Sequence, residues 1–73
     1  MKNFPESSQD IISAIKAEFD DISYSLDERR KRLWCAAKAR AHNRIYGTGG
    51  VMVVHKATKI SRPTIYSGLK ELN

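Results

Sequence analysis

Within ten residues, Ser61 to Lys70, the chain sets out four hydroxyls (Ser61, Thr64, Tyr66, Ser67), one guanidinium (Arg62) and one ammonium (Lys70). Arg62 offers a planar fork of N–H donors that matches the O6 and N7 acceptors on a guanine edge. Ser61, Tyr66 and Lys70 suit phosphate oxygens, contacts that fix register and carry no sequence information. This is the chemistry of recognition, hydrogen bonding to the base edges and phosphates of duplex DNA. The candidate set is Ser61, Arg62, Pro63, Thr64, Tyr66, Ser67 and Lys70, with Lys59 just before it, Arg44 upstream, and the backbone at Gly49 and Gly50.

Such groups act together only if one element holds them in register. Ile65, Leu69 and Leu72 fall at i, i+4 and i+7, the apolar stripe of a helix from Ser61 to Leu72. Ser61 suits its N-cap, and Pro63 sits in the first turn, where a missing N–H costs nothing. With the stripe turned inward, Arg62, Pro63, Tyr66, Ser67 and Lys70 face out or flank it. A shorter helix precedes it, near 49–58, with Val51, Val54 and Ala57 at helical spacing. Between the two, Lys59-Ile60 allows only a sharp corner, plugged by Ile60. The plan predicted is a helix-turn-helix, whose second helix lies in the DNA major groove. A bulky His55 must fit between its helices, and Lys59 must adopt a turn conformation that glycine takes more easily.

Bond-making chemistry finds no support. His42 and His55 stand thirteen apart, with no carboxylate or thiolate at ligand spacing near either, so no metal or other cofactor is expected. Cys35 lies on the ideal-helix face opposite Leu33 and Ala37 and reads as a semi-exposed filler, near no evident base. Gly47-Thr48-Gly49-Gly50 lacks the Gly-Lys-Ser/Thr ending and the preceding strand of a phosphate loop. Asp20, Asp21 and Asp27 read as surface and capping groups.

Seventy-three residues make one small domain with a thin core. A single cysteine excludes an internal disulfide and suits a reducing cytoplasm; no apolar run is long enough to span a membrane. The net charge of +5 is divided unevenly. Residues 1–27 carry two lysines against six acids, −4, whereas residues 28–73 carry eleven Lys and Arg against two acids, +9. The cations lie on the half that holds the helix-turn-helix, which favours a polyanionic partner.

The expected fold is all-α: a flexible tail at 1–8, then a domain at 9–73 with helices near 8–22, 26–43, 49–58 and 61–72. Ser7 or Ser8 caps the first, whose Ile11, Ile12, Ile15, Phe19 and Ile22 cover the core. Ser25 and Glu28 form a capping box for the second, whose inward stripe is Leu26, Leu33, Ala37 and Ala41, with Trp34 on its shoulder as a core anchor. Alanines 36, 37, 39 and 41 let neighbouring helices come close. Four consecutive cations, Arg29 to Arg32, point to all sides of a helix, so not all of them can meet one phosphate backbone. Thr48 is the expected cap of the third helix, leaving the amides of Gly49, Gly50 and Val51 as an anion site. The expected core is Ile11, Ile15, Phe19, Leu26, Leu33, Trp34, Val51, Val54, Ile65 and Leu69.

The run SLDERRKRLWCAAKARAHNRIYGTGGVMVVHKATKISRPTIYSGLKEL resembles the N-terminal segment of bacterial insertion-sequence transposases of the Rhodopirellula type. The resemblance is carried by Leu26, Asp27, Glu28, Arg29, Leu33, Trp34, Gly49, Gly50, Ala57, Thr58, Ser61, Thr64, Ile65, Gly68, Leu69, Glu71 and Leu72. It implies binding to the terminal inverted repeats of a mobile element, in a bacterial cytoplasm on the nucleoid. It also implies that catalysis belongs to a metal-dependent DDE domain following this segment, so a binding module without transposase activity is expected here. Two other classes stay open: a small repressor or antitoxin-like regulator acting as a homodimer on a palindromic operator, and a helical protein-interaction module that ignores DNA.

Overall fold

Helical spacing of apolar side chains governs the computed structural model, which describes residues 8–73 as four helices with no strand among them. They are α1 (Ser8–Ile22), α2 (Glu28–Tyr46), α3 (Gly50–Thr58) and α4 (Arg62–Leu72). The expected tail at 1–8 lies outside the described residues, except that α1 begins at Ser8. No helix among the described residues is long and apolar enough to cross a membrane.

The junctions differ from the expected ones for local reasons. The Ser25 hydroxyl donates to the Ile22 carbonyl at 2.8 Å, closing a single 3-10 turn (Ser23–Ser25) at the end of α1. It is therefore not the cap of α2. Asp27 takes that place, its carboxylate accepting from the Arg30 amide at 2.8 Å. A carboxylate there also meets the positive end of the helix. α2 then runs to Tyr46, three residues beyond 43, and stops where Gly47 takes a left-handed φ of 88°. Thr48 does not cap α3. The N-cap is Gly49, at φ 87°, and the Asn43 side-chain carbonyl accepts from the Gly50 amide at 2.9 Å.

The core is built of smaller residues than the sequence pattern suggested. Ile15, Cys35, Ala39, Val53, Val54, Ala57 and Ile65 form one buried cluster, with Ile11, Ile12, Phe19, Trp34, Val51 and Ile60 packed against it half-buried. Leu26, Leu33 and Leu69 are only half-buried, and Ala37 and Ala41 of the expected inward stripe are exposed. The face that α2 turns inward is Cys35, Ala36 and Ala39. Cys35 is fully buried, contrary to the semi-exposed position expected, and burial pushes its thiol pKa up. A protonated, enclosed thiol is a packing group.

Small residues on α2 matter because two helices cross it closely. A Cβ at Gly50 would lie 2.2 Å from the Ala39 carbonyl oxygen, and one at Gly68 would lie 2.6 Å from that of Arg32. Both obstacles are backbone, which cannot swing aside. Gly50→Ala should therefore force α3 off α2 and cost about 1–3 kcal/mol, the usual range for overpacking. Chemical denaturation measures it; a variant as stable as the parent would mean that this crossing is not close.

Gly68 rests on Arg32 and Ala36, and Glu71 one turn on pairs with Arg29 and Arg32, so α4 runs antiparallel to α2. α1 covers α3 and reaches α2 through Phe19 against Trp34, with ring centroids 5.4 Å apart. Trp34 is thus a shoulder of the core, as its position in the sequence suggested.

Candidate nucleic-acid interface

The corner between α3 and α4 is fixed by three hydrogen bonds from two side chains. The Thr58 hydroxyl donates to the Val54 carbonyl at 2.8 Å and accepts from the Ile60 amide at 3.2 Å. The His55 ring shares a 2.8 Å bond with the Ile60 carbonyl. A carbonyl only accepts, so Nδ1 carries the hydrogen there. His55 therefore fits between the helices by bonding to the turn it crowds. Lys59 adopts φ 68°, the left-handed region that favours glycine, and caps α3 by donating its N–H to the His55 carbonyl. The sequence singled out Lys59 and His55 at this turn but Thr58 only through the family resemblance; the signal for its role in the turn was a β-branched hydroxyl at the last turn of a helix.

Ser61 caps α4 with extended backbone, its hydroxyl accepting from the Thr64 amide at 3.3 Å. The Ser61 and Thr64 hydroxyls are also 2.8 Å apart and share one hydrogen between them. Whichever donates, the other hydroxyl keeps a hydrogen for an outside acceptor. Ile65 and Gly68 are the buried positions of α4; Arg62, Pro63, Tyr66, Ser67 and Lys70 are all exposed. At about 100° per residue these five fall within an arc of roughly 140°. Arg62, Tyr66 and Lys70 form a column along it, one turn apart.

Electrostatics sharpens this face. The one carboxylate of α4, Glu71, is turned toward α2, where it pairs with Arg32 and lies 3.4 Å from Arg29. The Arg32 hydrogen bond holds the Glu71 carboxyl below its usual range. On the opposite flank, Lys38 lies 2.6 Å from Glu18 and sits over the Trp34 ring. Three cations of α2 are thus engaged by the chain's own carboxylates. Arg62, Lys70, Lys59 and Arg44 are exposed and have no carboxylate partner among the described residues.

The glycine pair separates. Gly49 is half-buried in the loop, but Gly50 is buried against α2 and its amide is held by Asn43. The expected anion site of three amides therefore loses its middle donor. The Asn43 acceptor comes from seven residues upstream across a turn, so local spacing gave no signal for it. Tyr66 and Leu69 of α4 instead join Val51, Met52, Thr48 and Asn43 around a hollow of about 300 Å³. No three His, Cys, Asp or Glu side chains among the described residues gather as a metal site requires.

The fold defines a small all-α domain that ends in two helices and a tight turn, with a polar, cationic outer face on the second helix. No family model matches the chain, and neither a curated protein nor a solved structure does.

Proposed function

We propose that this domain binds double-stranded DNA with sequence preference, α4 lying in the major groove and its first two turns against base edges. The observation that carries the reading is the outer face of α4. Arg62, Tyr66 and Lys70 stand in one exposed column, while the one acid of the helix is tied to α2. Ser61 and Thr64 add a spare hydroxyl hydrogen at its start, and Lys59 and Arg44 supply further charge for phosphates. The resemblance of the run from Ser25 to Leu72 to insertion-sequence transposases supports a narrower version: recognition of a mobile element's terminal inverted repeats, by a module that leaves catalysis to another domain. That version places the domain on the nucleoid of a bacterial cytoplasm.

Selection of bound sites from random duplexes tests both levels. An asymmetric, repeat-like site fits the transposase version, and a palindrome bound by two copies fits a dimeric regulator. No enrichment at low salt removes DNA binding altogether.

Within the interface, reading and holding separate by residue. Arg62 begins α4 and reaches the groove floor, so Arg62→Ala should cost about 1–3 kcal/mol on the selected site and relax selectivity at one position. Lys70 lies two turns on, toward the backbone. Lys70→Ala should weaken selected and scrambled duplexes alike and reduce the log–log salt slope by about one. Titrations of both variants on both duplexes decide the matter. Equal losses for Arg62→Ala on the two duplexes would make Arg62 a phosphate contact.

A further inference from the structure

One feature beside the recognition face carries no charged side chain. The hollow of about 300 Å³ between the start of α3 and the middle of α4 has polar walls from Asn43, Thr48 and the Gly49 backbone and apolar ones from Val51, Met52, Leu69 and the Tyr66 ring. Met52 and Tyr66 form its lip and remain 40% and 56% exposed, although large apolar side chains on a thin domain gain by being covered. We propose that Met52 and Tyr66 read the 5-methyl group of a thymine in the bound duplex; the inference rests on the DNA reading above.

Charge selects this occupant over an apolar protein segment. Arg62 and Lys70 stand one turn to either side of Tyr66, with no carboxylate partner among the described residues, and the acid of α4 faces away. A partner that covers the hollow must therefore bring anions to both its sides. Duplex DNA does so with its phosphates, and the apolar group it presents in the major groove is the thymine methyl. Met52 suits the contact because its flexible thioether fills irregular gaps, and the Tyr66 ring offers a flat wall.

The test replaces each thymine of the selected duplex, one at a time, with deoxyuridine, which removes the methyl and keeps the Watson–Crick edge. The full chain should lose about fourfold in affinity at one such position, the worth of one buried methyl. Met52→Ala should bind the thymine and deoxyuridine duplexes equally, with its helical circular dichroism unchanged. Tyr66→Phe, which keeps the ring, should retain the fourfold preference, and Tyr66→Ala should lose it. The proposal is overturned by a full set of silent deoxyuridine substitutions. It is equally overturned by a methyl preference that survives both alanine variants, or by a selected site with no fixed T·A pair. Failure to bind any duplex at low salt would instead sink the DNA reading, and this inference with it.

Discussion

Ile65→Ala should lower the stability of the domain by about 2–5 kcal/mol, the range for truncating a fully buried aliphatic side chain. Ile65 is wholly buried and is the one large side chain that α4 contributes to the central cluster. Its neighbours there are mostly Ala, Val and Cys on crossing helices already in close contact through Gly50 and Gly68. Backbone so close to backbone has little room to collapse into a cavity, which puts the loss toward the upper half of the range. Leu69→Ala, one turn along the same stripe, should cost clearly less, because Leu69 is half-buried at the wall of an open hollow. Urea unfolding followed by circular dichroism compares the two. Equal losses would mean that Leu69 is as enclosed as Ile65, and a loss below about 1 kcal/mol for Ile65→Ala would contradict a core centred on it.

That contrast shows where the sequence was legible. α4 announced itself through agreement of independent signals: a serine cap, a proline in the first turn and an apolar stripe. Its outer face accordingly lies where the residues implied. The fold class and the number of helices followed from the same periodicity. α2 was harder because hydrophobicity was the wrong cue. Leu33 and Trp34 are large apolar residues of α2 and Leu26 lies just before it, yet what faces inward is Cys35, Ala36 and Ala39. Where two helices cross a third at backbone distance, size is selected against; the alanines of α2 were legible as a surface of close approach, but not that Ala36 and Ala39 face inward while Ala37 and Ala41 face out. Glycine gave the clue unread: Gly50 and Gly68 are the points of closest approach, and each meets a backbone carbonyl of α2. The loop before α3 was illegible for another reason. The side chain that accepts from its Gly50 amide, Asn43, lies about a helical turn inside α2, and only the reversal at Gly47 brings it round.

Affinity for duplex DNA should fall roughly 10³-fold between 50 and 200 mM salt, with a log–log slope of about −4 to −6, if five or six phosphates are neutralised. Sequence charge alone overstates the number available. Of the eleven Lys and Arg in residues 28–73, Arg29 and Arg32 are drawn to Glu71, and Lys38 is held by Glu18 over the Trp34 ring. α1 also exposes Asp10, Asp20 and Asp21, so its face repels a polyanion while the α4 face attracts one. On the proposed reading, the charge split along the chain becomes an orientation, with a DNA duplex expected at α4 and α1 turned away from it. Lys38→Ala should leave the slope unchanged, because that cation already has a carboxylate and sits on the α1 side. Lys59→Ala should reduce it by about one, since Lys59 stands exposed at the turn leading into α4. Fluorescence anisotropy of a labelled duplex across a salt series measures all three proteins. A flat parent response would remove the polyanion argument, and a slope that drops for Lys38→Ala but not for Lys59→Ala would put the DNA on the wrong face.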